Sequence, residues 1–277
     1  MKMCDFHVHI TPPEIIDNWH KYAEKDAYFT LLSKSGANKF AKIEDVITML
    51  DNSHFNEAVV FGFGFKDMGL CRMVNDYAIA SINQYPDKIT GFMVVPPNAR
   101  GIEKEISRCH DAGLKGIGEI FPQGQGINIE NKAETKKITG ICIERNLPLI
   151  LHANEPVGHY YPGKTSLGLK QIDQFIGNSQ NLRIVLAHWG GGLFLYEAMP
   201  EIREKYRNVF YDTAATPFLY DDGIYRAALA LGLCNKIIFG SDFPLLSPSR
   251  YMLSMEALPL PERKQILCGN AEKLLSP

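Results

Sequence analysis

The sequence has no apolar run that approaches the ~20 residues needed to cross a bilayer. It also lacks the apolar stretch of a signal peptide near its start, because Met1-Lys2-Met3-Cys4-Asp5 places a carboxylate there. We therefore expect a cytoplasmic protein that has no membrane partner.

An excess of charge of one sign is missing too. The chain has 29 Lys and Arg against 31 Asp and Glu, and its formal net charge is −2. Binding to the phosphate backbone of a nucleic acid usually needs a basic stripe or patch, which this composition does not indicate. We expect a small molecule as partner and no nucleic acid, and leave a homodimer open.

Cysteines are few, and no Cys-x-x-Cys pair is present. Their scatter without a secretion signal predicts reduced, mostly buried thiols. Cys4 lies close to the first histidine pair, but strand alternation would point it to the opposite face from His7 and His9, so we do not expect it to bind a metal. The six cysteines are Cys4, Cys71, Cys109, Cys142, Cys234 and Cys268.

Short β-branched runs alternate with longer amphipathic stretches along the whole chain, as in βαβ units. A length of 277 residues is also close to the ~250 of a TIM barrel. We predict one α/β domain over residues 1–277, a (β/α)8 TIM barrel, with helices such as Leu193–Tyr206 and Pro261–Leu275 between the strands. The predicted strands are Met3–His9, Glu57–Gly62, Ile89–Val95, Leu114–Phe121, Pro148–His152, Arg183–His188, Val209–Thr213 and Lys236–Asp242.

The segment from Thr11 to Ala41 is longer than the other predicted connections. It contains Pro12, Pro13 and Gly36 together with mixed helical signals. We predict that this first βα connection, residues 11–41, carries one or two extra helices and is a candidate lid over the site.

The strongest local signal is Asp5-Phe6-His7-Val8-His9, at the end of the first predicted strand. Alternation places His7 and His9 on one face, roughly 6 to 7 Å apart along the backbone, where both imidazoles can reach one ion. Two such histidines can also be ordinary polar residues. Whether His7 and His9 bind a metal therefore depends on which residues end the other strands.

Four other predicted strands also end in a residue of a metal-binding type. In a barrel these ends face one mouth, where active sites lie. Taken singly, each has a plain structural explanation, as a buried histidine, a loop charge or a helix cap. Taken together with the histidine pair, they predict a divalent metal site, and the residues concerned are Glu119, His152, His188 and Asp242.

Histidines and carboxylates without cysteine are typical of a catalytic rather than a structural ion, because a catalytic ion keeps one position open. Such ligands favour zinc and do not exclude manganese, iron, cobalt or nickel. We expect Zn²⁺, as one ion, with a second ion left open.

These motifs resemble the amidohydrolase superfamily, in particular the amidohydrolase-related branch that includes aminocarboxymuconate-semialdehyde decarboxylase. The resemblance covers nearly the whole chain. The segments that carry it are His7-Val8-His9, His152-Ala153-Asn154-Glu155-Pro156, His188-Trp189-Gly190-Gly191 and Gly240-Ser241-Asp242-Phe243-Pro244.

The resemblance implies a role for each matched residue. His7, His9, His152 and Asp242 would bind the metal, and Asp242 would also carry the proton. His188 would orient the attacking water. Members of the superfamily differ at the end of the fourth strand, so Glu119 is expected as a further ligand, which a second ion would need.

The loop that follows His152 mixes aromatic side chains with a cation. Loops after barrel strands carry substrate contacts, so His159, Tyr160 and Lys164 are predicted to bind substrate. An equally good interpretation of this loop is a packed lid. Near other strand ends, Asp212 is a candidate to support a ligand, and Trp189 is a candidate to pack behind His188.

The first functional hypothesis is a metal-dependent hydrolase that activates water to cleave an amide, lactone or other ester bond in a small molecule. The alternative is a non-oxidative decarboxylase of an aromatic or muconate-like acid, although no arginine cluster is evident near the strand ends. A metal nuclease of the TatD type fits less well, because the charge is near neutral. A non-catalytic metal-binding scaffold is the remaining hypothesis.

Overall fold

A computed structural model describes residues 2–36 and 40–276 of the chain. Within these ranges eight strands alternate with helices, as the sequence predicts. The strands are β1 (Cys4–His9), β2 (Glu57–Phe61), β3 (Ile89–Gly91), β4 (Ile117–Ile120), β5 (Leu149–Leu151), β6 (Ile184–Leu186), β7 (Val209–Asp212) and β8 (Ile237–Ile238).

All neighbouring strands pair in parallel, in the orders β1-β2-β3 and β4-β5-β6-β7-β8. Parallel bridges between Val8 and Phe243 and between Met93 and Ile117 join the two sheets along both of their edges. The strands therefore close into a barrel, and the TIM-barrel prediction is confirmed. All strand carboxyl ends face one mouth.

Helices cover the outside of this barrel. None of the helices in the described ranges is long and apolar enough to cross a membrane. The α-helices are α1 (Pro13–Asp17), α2 (Trp19–Ala23), α3 (Ala27–Ser33), α4 (Ile43–Ser53), α5 (Met68–Gln84), α6 (Ile102–Asp111), α7 (Pro122–Gln125), α8 (Lys132–Glu144), α9 (Leu169–Asn178), α10 (Pro200–Lys205), α11 (Thr216–Leu219), α12 (Gly223–Ala230), α13 (Met252–Glu256), α14 (Leu260–Lys264) and α15 (Asn270–Leu275).

Two of the predicted helices are interrupted. The stretch predicted at Leu193–Tyr206 consists of 3₁₀ turns that end at Ala198 and of α10, which Pro200 begins. The stretch predicted at Pro261–Leu275 contains a π-helical turn at Gln265–Gly269 between α14 and α15. Proline favours the first turn of a new helix, which explains the first break.

Alternate strand residues form two apolar layers, since the strands are buried on both faces. The outer layer packs strand residues such as Val60 and Leu149 against helix residues such as Val46 and Ile138. The inner layer fills the barrel with Phe6, Val59, Phe92, Ile150, Val185 and Ile238. The polar site therefore lies on top of an apolar, packed interior.

Strand β1 departs from strict alternation, because its register against β2 shifts between Asp5 and Val8. Cys4 consequently belongs to the inner layer, on the side of the barrel axis towards which His7 and His9 also turn. The prediction that Cys4 points to the opposite face from the two histidines is wrong for this reason.

The first βα connection carries three short helices, α1 to α3, within its described residues 11–36 and 40–41. The sequence predicted one or two. Helix α3 begins at a clear signal, because the Asp26 carboxylate accepts hydrogen bonds from the backbone N–H groups of Tyr28 and Phe29. Residues 37–39 of the predicted lid lie outside the described residues.

Candidate metal centre

His7, His9 and Asp242 bring three potential ligand atoms together at the carboxyl ends of β1 and β8. The Nε2 atoms of His7 and His9 are 3.2 Å apart. Asp242 Oδ1 lies 3.6 Å from His7 Nε2 and 3.3 Å from His9 Nε2. Two imidazole nitrogens and one carboxylate oxygen at this spacing fit a divalent ion.

The orientation of His7 is fixed from behind. Its Nδ1 donates a 2.8 Å hydrogen bond to Asp212 Oδ2. Burial lowers the pKa of the His7 imidazole, but the charge of Asp212 and this hydrogen bond outweigh burial and raise it to about 10. The hydrogen bond to Asp212 leaves Nε2 as the ring nitrogen that faces His9 and Asp242.

Close backbone contact also fixes His7. A Cβ atom at Gly240 would lie 2.6 Å from the Cβ atom of His7, so only glycine fits beside this histidine. The motif Gly240-Ser241-Asp242 thus contributes a ligand candidate and the space for another.

Asp5 links β1 to the segment after β8. Its carboxylate accepts hydrogen bonds from the backbone N–H of Ser241 (2.8 Å) and from its hydroxyl (2.5 Å). Burial raises the pKa of Asp5 to about 7, although the hydrogen bonds from Ser241 oppose the rise. This buried pair holds His7 and Asp242 at a fixed separation.

Glu119, His152 and His188 form a second group of potential ligands. Glu119 Oε1 lies 2.9 Å from His152 Nδ1 and 3.7 Å from His188 Nε2. Its other oxygen lies 3.9 Å from His7 Nε2 and 3.8 Å from His9 Nε2, so Glu119 connects the two groups. The structure places His152 beside Glu119 rather than within the group of His7.

Each nitrogen of His152 has a partner. Nε2 donates to the carbonyl oxygen of Gly163 at 2.9 Å, which leaves Nδ1 as the atom that faces the site. Burial lowers the pKa of His152, but the charge of Glu119 and its hydrogen bond raise it above the usual value.

The two carboxylates of the site are held in their charged form. Burial raises the pKa of Glu119, yet the charge of His152 and the hydrogen bond from it lower the pKa to about 2. For Asp242, burial raises the pKa, and the hydrogen bond from His9 together with the charge of His7 outweighs it and lowers the pKa. Anionic oxygens surrounded by imidazoles suit a cation.

His188 begins a tight turn in the left-handed region. His188 and Trp189 have φ angles of 55° and 59°, and Gly190, Gly191 and Gly192 continue with positive φ. Each non-glycine residue in this conformation costs about 1–2 kcal/mol, so contacts must hold it. The backbone N–H of His188 donates to Asp212 Oδ1 at 2.9 Å.

The ring of His188 is oriented as well. Its Nδ1 donates to the carbonyl oxygen of Ala214 at 3.1 Å, so that Nε2 faces Glu119. The next residue, Trp189, is buried, and its indole N–H donates to Thr216 Oγ1 at 2.8 Å.

A comparison with protein-family models agrees with the metal-binding motifs at the strand ends. A family model described as amidohydrolase matches residues 4–276. The chain belongs to the amidohydrolase family. No curated protein sequence matches this amidohydrolase.

Three solved structures show the fold that this amidohydrolase shares. A 5-carboxyvanillate decarboxylase from Sphingomonas paucimobilis is 13% identical, with a TM-score of 0.79 over 99% of this chain and 98% of that chain. The 5-carboxyvanillate decarboxylase from Novosphingobium aromaticivorans, complexed with manganese and 4-hydroxy-3-methoxy-5-nitrobenzoic acid, is 17% identical, with a TM-score of 0.77 over 99% and 96%. A probable 2-pyrone-4,6-dicarboxylic acid hydrolase from Acinetobacter baumannii, with citric acid bound, is 18% identical, with a TM-score of 0.64 over 99% and 99%.

A cavity of about 360 Å³ opens above the ligand groups of this amidohydrolase. Its floor includes His9, Glu119, His152, His188 and Asp242. The first βα connection contributes side chains of α3 and its neighbours, and the loops after the other strands contribute the rest. Most wall side chains are apolar, among them Phe29, Leu32, Phe40, Phe63, Phe121 and Phe218.

The predicted substrate loop reaches this cavity in part. His159 lines it, whereas Tyr160 is 69% exposed and does not. Tyr161 lines it instead, and its hydroxyl donates to Glu155 Oε2 at 2.8 Å. The Lys164 ammonium is turned into its own loop, where it donates to backbone carbonyl oxygens and lies 5.7 Å from the ring centre of Tyr161.

The sequence interpretation missed the aromatic wall. Phe29 packs against Phe63 and Phe65 with ring centres 5.3 and 5.0 Å apart. The sequence does contain one signal for this wall, the segment Phe61-Gly62-Phe63-Gly64-Phe65 at the end of β2. Its phenylalanines continue past the strand, where a loop would ordinarily be polar.

Proposed function

We propose that this amidohydrolase is a metal-dependent decarboxylase of a small aromatic carboxylic acid. The observation that carries the proposal is the combination of a His and carboxylate floor with a largely aromatic wall. Among the described lining residues of the cavity there is no lysine or arginine. A flat, apolar ring with one acidic group suits this shape and polarity.

We propose that His7, His9 and Asp242 hold one divalent ion, with Glu119 and His152 beside it. The donors fit such an ion, since they are nitrogen and oxygen atoms that lie within 4.8 Å of one another in each group. When bound, the ion would act as a Lewis acid towards the substrate carboxylate and an adjacent hydroxyl. We expect zinc from the sequence, and manganese in one structural relative makes it an equally good candidate.

The chain's own residues then position and protonate the substrate. The phenylalanine wall holds the ring and excludes water, which favours the change from a charged carboxylate to neutral CO₂. As the bond between the ring carbon and the carboxyl carbon breaks, CO₂ leaves and the ring carbon takes a proton. Asp242, which is ionised in the free site, would take this proton from solvent and pass it to the ring carbon, while His188, fixed by Ala214, orients the departing group.

The structural relatives support this choice over the hydrolase that the sequence favoured. Two of them act on 5-carboxyvanillate, an aromatic acid, as decarboxylases. A hydrolase of a lactone or amide is the second candidate. It is favoured by Asp242 Oδ1, which lies 3.3 and 3.6 Å from two imidazole nitrogens and so could also accept a proton from water.

The decisive experiment measures CO₂ release. Protein loaded with Mn²⁺ or Zn²⁺ is incubated with hydroxylated benzoic acids in D₂O, and the product is examined for deuterium at the carbon that loses CO₂. The double variant His7→Ala/His9→Ala is the control. Hydrolysis of lactones or amides without CO₂ release would instead establish the second candidate.

Metal analysis of the same protein decides between one ion and two. One ion per chain is expected.

Three other predictions from the sequence remain proposals. They are a single domain over residues 1–277, a cytoplasmic location and a homodimer, and measurements of size and localisation can test them.

A further inference from the structure

The charge distribution around the cavity limits which substrates the cavity can bind. Above Asp242 and Glu119, the described part of the lining consists of apolar side chains, backbone atoms and a few uncharged polar groups. His159 stands at the exposed rim of the same cavity.

Two basic side chains of the described residues lie near the cavity but do not line it. Lys164 donates to the carbonyl oxygens of Val157 and His159. Arg250 lines a neighbouring open groove, which shares Phe40 with the cavity wall.

Negative charge, by contrast, is already present. Asp242 and Glu119 bring two carboxylates, which equal the charge of one divalent ion. Glu155 lies directly behind Tyr161, and its Oε1 atom is buried without a hydrogen-bond partner among the described residues. With the ion bound, the floor therefore has no excess positive charge for a second substrate anion, and the described lining residues offer it no lysine or arginine.

We infer that the substrate of this cavity carries a single anionic group, which lies at the floor, and that the remainder of the molecule is uncharged and apolar. The inference rests on the proposed function, because it places the carboxylate at the ligand groups. A carboxylate against the phenylalanine wall would lose hydration without gaining a partner, whereas an apolar substituent there gains by burial.

Three probes of matched shape test this inference by direct binding. They are 2-hydroxybenzoate, its 5-isopropyl derivative and its 5-carboxy derivative, titrated by calorimetry into protein loaded with Mn²⁺. The isopropyl and carboxylate groups have similar size and differ in charge. We expect the 5-isopropyl compound to bind at least about tenfold more tightly than the 5-carboxy compound, since burying a charge without a partner is unfavourable.

A matched pair of variants tests whether the cavity wall causes the selectivity against a second carboxylate. Leu32 lines the cavity from α3, whereas its neighbour Leu31 is 39% exposed and does not. Leu32→Arg should shift the binding ratio about tenfold towards the 5-carboxy compound, and Leu31→Arg should leave it unchanged. A ratio that Leu32→Arg does not change would overturn the assignment to this wall.

Other results of the same titrations would also overturn the inference of a single anionic group. Equal or tighter binding of the 5-carboxy compound by the unaltered protein overturns the inference, as does binding of none of the three probes. A selective loss of 5-carboxy binding in Arg250→Ala would overturn it too, because the substrate would then reach the neighbouring groove. The proposed reaction is judged separately by CO₂ release, so the expected binding ratio without CO₂ refutes the decarboxylase and leaves the charge selectivity standing.

Discussion

The imidazole of His7 and the carboxylate of Asp212 share a hydrogen bond of 2.8 Å, and neither side chain has any exposed surface. The second oxygen of Asp212 accepts the backbone N–H of His188 at 2.9 Å and that of Ala214 at 3.0 Å. One carboxylate at the end of β7 thereby positions a residue of β1 and a residue that follows β6.

Asp212→Asn should weaken metal binding by about 10- to 100-fold, because hydrogen bonds behind a ligand commonly contribute that much. Metal affinity is measured by competition with a chromophoric chelator. Asp87→Asn, at an exposed carboxylate before β3, is the matched control and should bind metal like the unaltered protein. Unchanged affinity in Asp212→Asn would refute the supporting role.

Removal of the metal should lower thermal stability. An ion that binds only the folded state, at 100 times its Kd, adds about 2.7 kcal/mol, which corresponds to a Tm higher by roughly 5 °C for a chain of this size. Thermal scans with Mn²⁺ or Zn²⁺ and after chelation measure the difference. His9→Ala should show little response to the ion, and a normal response in that variant would argue against His9 as a ligand.

The barrel and its mouth could be predicted from local patterns. Apolar runs that end in a histidine or a carboxylate identify a parallel strand and its carboxyl end at once, as in Leu149–Leu151 before His152. In a barrel the carboxyl ends of all strands meet at one mouth, although no single sequence motif shows this by itself. This is why residues far apart in the chain could be assigned to one site.

What could not be predicted depends on geometry between elements. Cys4 lies on the inner side of β1 because of a register shift that is visible only in the pairing of β1 with β2. Likewise, Tyr161 rather than Tyr160 faces the cavity because Glu155 holds its hydroxyl. The pairing of His152 with Glu119 also needs the three-dimensional arrangement of β4 and β5.

Asp242→Asn should lower turnover by about 100-fold or more, because the amide can no longer accept and deliver the proton. Steady-state kinetics should show the loss in kcat, while metal analysis shows how much of the ion is retained. Full activity with normal metal content would rule out Asp242 as the proton carrier.

Acid should destabilise the protein partly through Glu105. Burial raises the pKa of this carboxyl, but hydrogen bonds from Arg108 and Asn75 outweigh burial and lower it to about 2. A lowered folded-state pKa stabilises above the unfolded value and loses its effect as the pH falls through the folded value. Since Arg108 is 43% exposed, solvent screening reduces the effect, and we expect about 1–2 kcal/mol.

Urea unfolding between pH 2 and pH 7 tests this expectation. The difference in unfolding free energy between the unaltered protein and Glu105→Gln should be largest above about pH 4.5 and should shrink towards pH 2. Glu144→Gln, on an exposed part of α8, should follow the unaltered protein at every pH. A difference that does not depend on pH would assign the role of Glu105 to packing alone.

Gly240→Ala should damage both the fold and the metal centre. The added Cβ atom would lie 2.6 Å from the Cβ atom of His7, so the strand or the histidine must move. Overpacking of this kind costs about 1–3 kcal/mol, and a displaced imidazole weakens the ion's coordination.

Gly140 provides the matched comparison, since no atom lies within 4 Å of a Cβ built there and the residue is inside α8. Gly140→Ala should stabilise the protein by about 0.5–1 kcal/mol, because alanine is the better helix former. Unfolding free energy and metal affinity are measured for both variants. If Gly240→Ala retained both quantities, the close approach of Gly240 to His7 would not be what fixes this histidine in place.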